Sequence, residues 1–168
     1  ASRLVDLVAA GKLTPRVAHN DTKFNNMMID DLTGECVCLV DLDTIMPGLY
    51  LYDFGDSIRS GANTALEDER DLSRVTMDLG LFERFTRGYV ESAGNFLSDL
   101  ELELLPFSAR LMTFECGMRF LTDHLAGDTY FRIHRPGHNL DRARTQFRMV
   151  ADMEEKADEM RRIVEELK

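Results

Sequence analysis

The sequence predicts an α+β fold in which helix predominates, and three observations carry that expectation. Between Pro15 and about Gly61, short apolar runs alternate with turn residues, the pattern of brief strands. Beyond Ala65, apolar residues recur at three- and four-residue spacing over about 79–94, 107–125 and 138–167, which is helical periodicity. No segment repeats another, and 168 residues with 44% hydrophobic content make one domain, 1–168, with a substantial core.

Leu4, Val5, Leu7 and Val8 have helical spacing, and Gly11 suits the end of a short leading helix. N-M-M-I, then D-D-L-T-G, then C-V-C-L-V reads as a β-hairpin with a five-residue loop. Cys36 and Cys38, two apart on its second strand, point to one face and suit neither a routine disulfide nor zinc. With Cys116 they are expected to be buried thiols in a reducing compartment. Pro106 is expected to break the chain between two helices, and 138–167 to form one amphipathic surface helix. The acidic run Glu67, Asp68, Glu69 and Asp71 reads as a solvated helix start, and Met27, Met28, Met112, Met118 and Met149 as core filling.

Asp and Glu number 30 against 20 Lys and Arg, giving a net charge of −10 and a pI near 4.8. Such a surface repels polyanions, so no nucleic-acid partner is expected. No apolar stretch approaches the roughly 18 residues of a membrane span. The first residues lack the basic region and apolar core of a signal peptide, so the expectation is a soluble, cytoplasmic protein without a membrane partner.

The residues that carry chemistry are concentrated in H-N-D-T-K-F-N-N, residues 19–26, and in C-V-C-L-V-D-L-D, which ends in Asp41 and Asp43. If the hairpin forms, Asp41 at the end of its second strand returns beside Asn26 at the start of its first. An amide oxygen and a carboxylate placed together share a hard cation such as magnesium, with waters and nucleotide phosphates completing the shell. Asp21 then faces an acceptor hydroxyl, holding it in line and taking its proton late in a phosphoryl transfer. Lys23 reaches the transferring phosphoryl group, and Asp43 is a further metal ligand or substrate contact. Asp53-Phe54-Gly55 spells a metal-binding tripeptide but follows Asp21 by 32 residues and ends no strand, so Asp53 or Asp56 is expected to cap a helix or bond loop amides.

H-x-D-x-x-x-x-N followed by a strand ending in aspartate resembles the catalytic and metal loops of the protein-kinase-like fold, in the form found in the aminoglycoside phosphotransferase and choline kinase family. H-N-D-T-K-F-N-N-M-M-I-D, V-D-L-D-T-I-M-P-G and Y-D-F-G-D-S-I-R-S-G-A-N-T are most similar to the N-acetylhexosamine kinases within it. The resemblance implies the C-terminal, large lobe of that fold, with a small hairpin carrying both loops. It also implies ATP and Mg2+ as cofactors and transfer of the γ-phosphate to the anomeric hydroxyl of N-acetylglucosamine or N-acetylgalactosamine. Asp21 would be the base, with His19 and Lys23 beside it in the catalytic loop, and Asn26 and Asp41 the magnesium ligands. Arg119 and Tyr130 fall where the family places acceptor contacts, a forked donor and a stacking ring. Only 18 residues precede His19, and no glycine-rich loop lies among them. The chain is therefore expected to be a fragment lacking the N-terminal nucleotide-binding lobe, inactive alone. Another hydroxyl acceptor (choline, an aminoglycoside, homoserine), a non-catalytic binding module, or a metal-dependent hydrolase remain alternatives from the residues themselves.

Overall fold

A computed structural model describes residues 2–168. Helix α1 (Ser2–Ala9) seats Leu4 in the core, and the chain turns past Leu13 into β1 (Arg16–Ala18). Strand β2 (Met27–Ile29) pairs with β3 (Cys36–Leu39), Met27 opposite Leu39, and β4 (Met46–Gly48) returns antiparallel to β1. The expected hairpin is present, with residues 30–35 as its loop, one more than the spacing suggested. Asp30 nucleates that loop by accepting the backbone N–H groups of Leu32 and Thr33 with Oδ1. The second small sheet, β1 with β4, has no separate signal in the sequence.

Every residue of β3 is exposed, and with it Cys36 and Cys38, which corrects the expectation of buried thiols. The reason is that β2 and β3 form a two-stranded sheet neither of whose faces another element covers. Cys116 is half-buried, and its burial pushes the thiol up to about 11, so it stays protonated.

Helix α2 (Tyr50–Gly61) lies in the zone expected to be strands and turns. Helix α3 (Leu79–Ala93) starts on Asp78, whose carboxylate accepts the Leu81 N–H. Helix α4 (Asp99–Leu125) runs straight through Pro106, so that proline does not break the chain. Pro106 gives up one bond to Leu102, but a capping box of Ser98 and Glu101 closes the first turn, Arg16 forks onto Glu101, and Leu102, Leu104 and Leu105 are buried. Packing outweighs the lost bond.

The segment expected as one last helix is two, α5 (His138–Glu155) and α6 (Ala157–Glu166). At the break, Lys156 Nζ donates to Thr76 Oγ1, the Met77 carbonyl and the Asp152 carboxylate, three partners from two parts of the chain. The acidic run starts a helix only at its end, where the Asp71 carboxylate accepts the Ser73 N–H and caps a single 3-10 turn, Leu72–Arg74; ahead of it Glu67 pairs with Arg59 and Arg142, and Asp68 with Arg135 and His138, tying this loop to α5. Met149 is fully buried, whereas Met28 and Met118 are about half exposed. Helix α4 is the spine, packed chiefly on α2 and α5 and also on α6 around Phe54, Leu104, Leu105, Met149 and Met153. Gly55 permits the closest approach, since a Cβ there would stand 2.4 Å from the Ser108 carbonyl oxygen. Among the described residues no helix is long and apolar enough to cross a membrane.

Candidate active site

The loop between β1 and β2 is anchored on two sides before any catalytic group is considered. Asp53, in the first turn of α2, accepts the backbone N–H groups of His19 and Asn20 at 2.8 and 2.7 Å. Thr22 donates its hydroxyl to the Asp53 carbonyl at 2.5 Å, and Ser57 donates to the Thr22 carbonyl at 3.0 Å. On the other side Asn20, left-handed at φ 63°, donates its amide to the carbonyls of Ala18 and Thr44, both at 3.1 Å. Gly48 makes room for it, because a Cβ at that position would lie 2.5 Å from Asn20 Oδ1. Thr44 closes the ring by donating to the His19 carbonyl at 2.6 Å.

Held in this way, the loop presents Asp21, Lys23 and Asn26 together. The Asn26 side chain donates to the Asp21 carbonyl at 2.9 Å and to Asp21 Oδ2 at 2.8 Å, which uses both its protons and leaves Oδ1 as an acceptor. Lys23 Nζ lies 2.6 Å from the same Asp21 oxygen and 3.9 Å from Asp41 Oδ2. Asp41 is brought there by the hairpin: the Asn26 carbonyl accepts the Val40 N–H at 2.9 Å, one step beyond the Met27–Leu39 pair. The chain then leaves the strand through Asp41 itself at φ 63°, a conformation that few residues other than glycine adopt.

Other expected residues sit differently. Asp43 lies in the next turn (Leu42–Thr44), exposed and without a contact to Asp21 or Asn26. Both ring nitrogens of His19 are buried without a hydrogen-bond partner, so this residue serves the loop through its backbone. A cavity of about 390 Å³ lies behind the loop, lined by His19, Asn26, Tyr50, Phe85 and Tyr89, and neither Asp21 nor Asp41 lines it.

Burial works to raise the pKa of Asp21, but the bonds from Lys23 and Asn26 and the positive fields of Lys23 and Arg59 outweigh it and hold the carboxyl below its ordinary value. Asp21 is thus an ionised acceptor at neutral pH. Burial pushes Asp53 upward despite its two backbone bonds. Asn26 Oδ1 and the Asp41 carboxylate are hard oxygen donors. An amide oxygen and a carboxylate are donors of the kind magnesium takes while keeping waters and phosphate oxygens, and they lack the nitrogen and sulfur ligands typical of a zinc cage.

Arg119 and Tyr130 come together elsewhere, near the C-terminal end of α4. The Arg119 guanidinium stands 5.9 Å from the Tyr130 ring centre and 5.4 Å from that of Phe131, over a hollow of about 610 Å³ that Asp123 also lines. Arg59 is buried between Asp56 and Glu67, and its charge adds a small part to the lowering of the Asp21 carboxyl. Glu115 lies 3.8 Å from Arg119.

Sequence reading did not single out Asn20, Thr44 or Arg59. Asn20 had one signal, a residue tolerant of left-handed backbone directly before the key carboxylate.

A family model described as Phosphotransferase enzyme family matches residues 2–89, more than half of the chain. The chain belongs to this family. In this phosphotransferase the matched span holds both loops, both sheets and α2, and it ends within α3. Arg119 and Tyr130 lie outside it. Phosphotransferases of this family act on small molecules and in general use ATP and a divalent metal. The mostly helical fold with two small antiparallel sheets agrees with the large lobe of the kinase-like fold.

Proposed function

We propose that the chain is the catalytic and acceptor-binding lobe of an ATP-dependent kinase that phosphorylates the anomeric hydroxyl of an N-acetylhexosamine. One observation carries the kinase reading: Asp21, Lys23 and Asn26 on the anchored loop and Asp41 at the end of the hairpin stand within one linked set of contacts, from 2.6 to 3.9 Å. Resemblance of the extended loop motifs to the N-acetylhexosamine kinases supports the acceptor.

The roles follow from the contacts. Asp21 accepts the hydrogen bond of the acceptor hydroxyl and fixes it in line; with its pKa held down it is a weak base, so the proton moves late, once the hydroxyl oxygen has begun to bond phosphorus. Lys23 offsets charge on the transferring group. Asn26 and Asp41 would hold magnesium, which neutralises phosphate charge when bound, and Asp43, exposed in the next turn, is left to a contact with substrate. His19 supports the loop through its backbone. Arg119 donates to acceptor hydroxyls or an acetamide oxygen, and Tyr130 offers a stacking face.

A separate N-terminal nucleotide-binding lobe belongs to the same reading, and the apolar side chains of β3 and the segment after it support it. Val37, Leu39, Val40, Leu42, Ile45 and Met46 are all exposed, Val37 by 66%, which is an apolar surface suited to a second lobe closing over the nucleotide. Calorimetry of the 168-residue chain with MgATP should then find no tight binding; tight binding by this chain alone overturns that part.

The decisive experiment is a coupled ATP assay of the full-length protein against N-acetylhexosamines, hexoses and amino alcohols, with the product phosphate located by NMR. Turnover with an N-acetylhexosamine and phosphate on C1 is expected. Phosphorylation of choline or an aminoglycoside instead retains the kinase and removes the acceptor, and no acceptor-dependent turnover removes both.

A further inference from the structure

Asp123 is 5% exposed on the last turn of α4, and four donors converge on its carboxylate. Oδ1 accepts the backbone N–H groups of Thr129 and Tyr130 at 2.9 and 2.8 Å, and Oδ2 accepts that of Phe131 at 2.9 Å and the Asn139 side chain at 2.9 Å. Asn139, fully buried in the first turn of α5, gives its second amide proton to Asp128 Oδ1 at 2.9 Å. Its oxygen accepts from Arg142, which also donates to the Arg132 carbonyl. Three consecutive backbone amides and the start of a helix are therefore tied to one carboxylate.

The tied residues are those that hold the aromatic rings beneath Arg119. Phe131 packs on Phe120 with ring centres 4.7 Å apart and meets Tyr130 edge-on at 4.8 Å. Gly127 and Asp128, both left-handed, give the segment its turn and no regular structure holds it otherwise. A segment without secondary structure keeps two aromatic rings in register only if its amides are fixed from outside.

We propose that Asp123 is a positioning residue for acceptor recognition: by fixing the amides of Thr129, Tyr130 and Phe131 it sets the Tyr130 ring against Arg119 and so determines how tightly the sugar is held. This rests on Arg119 and Tyr130 being the acceptor contacts. The carboxylate suits the task because it is acceptor-only and presents two oxygens to four donors; an amide in its place turns one acceptor into a competing donor. Burial tends to raise its pKa, and the three backbone N–H bonds outweigh this and hold it ionised.

The test is steady-state kinetics of the full-length protein with MgATP and N-acetylglucosamine, comparing Asp123→Asn, Asn139→Ala and Arg119→Ala. Asp123→Asn should raise the acceptor KM by roughly tenfold while leaving the ATP KM within about twofold, since the reacting centre is untouched and only placement of the sugar is lost. Asn139→Ala, which keeps the carboxylate and removes one tie, should do the same to a smaller extent and decides the matter if Asp123→Asn does not fold. Unchanged acceptor KM in a folded Asp123→Asn protein, or equal rises in both KM values, overturns the proposal when Arg119→Ala still raises the acceptor KM. If Arg119→Ala also leaves acceptor KM unchanged, the assignment of the acceptor site itself fails.

Discussion

Asp53 sits in the first turn of a helix, yet its carboxylate bonds the amides of His19 and Asn20, more than thirty residues away. Replacing it by Ala leaves two partly buried backbone donors without an acceptor, a cost of about 1 kcal/mol or somewhat more. Chemical denaturation should register that loss, and the catalytic loop should show faster amide exchange at Asn20. Asp21→Asn tests the neighbouring residue in the opposite sense. It retains the bond to Lys23 through the amide oxygen, so the fold should persist while turnover by the full-length enzyme falls roughly 10²–10⁴-fold, the range for losing a general base; unchanged turnover removes Asp21 from the chemistry. At this scale the sequence was informative wherever a residue's neighbours in the chain are also its partners. Asp21, Lys23 and Asn26 are such a case; Arg119 and Asp123 are not, because their partners come from an irregular segment that is also held by Asn139, from the next helix.

Between elements, the α2–α4 contact is the one that positions the site, since α2 carries Asp53 and Ser57 on one face and packs its other face on the spine. Gly55→Ala drives a methyl into the Ser108 carbonyl and Met112, so the helices must separate, at about 1–3 kcal/mol. The thermal midpoint should fall and the loop should loosen with it. Ser98→Ala removes the cap of α4 and should lose about 1 kcal/mol, measured in the same way, because Glu101 keeps its fork to Arg16. Helices α3, α5 and α6 were readable because an amphipathic stripe repeats along them; α4 has little such stripe, being apolar on more than one side, and only its stretch from about residue 107 was legible. Helix α2 was not: Tyr50–Gly61 is only 12 residues long, and its two glycines, two aspartates and two serines read locally as turn chemistry although its apolar residues do fall on one side. Pro106 misled for a related reason, since a local rule about one hydrogen bond was outweighed by burial that the local sequence does not display.

Across the whole molecule, stability should follow carboxylates that unite distant segments. Burial works to raise Glu101 and Asp152, but Ser98 and Arg16 on one, and Lys156, Thr76 and Met77 on the other, lower them below the ordinary 4.5 and 3.8. A folded-state pKa below the unfolded value means stability that is fully present above those ordinary values and is lost as pH falls through the folded ones. Thermal melts should therefore decline below about pH 4, and Asp152→Asn should flatten that decline while lowering the midpoint at neutral pH. An acid limb unchanged in Asp152→Asn would falsify this assignment. By itself the sequence determined the hairpin, the helical body and the cluster of Asp21, Lys23, Asn26 and Asp41, because turn chemistry, periodicity and short-range pairing are written within a few residues of one another. Only the tertiary structure decided that it is Asp53, of the two carboxylates the sequence offered for the task, that bonds the amides of the 19–26 loop, that Cys36 and Cys38 face outward on an uncovered sheet, that Asp43 makes no contact with Asp21 or Asn26, and that one buried carboxylate holds the aromatic loop beside Arg119. Each of those depends on which elements meet, and that is fixed by burial summed over the whole chain and not by any local run of residues.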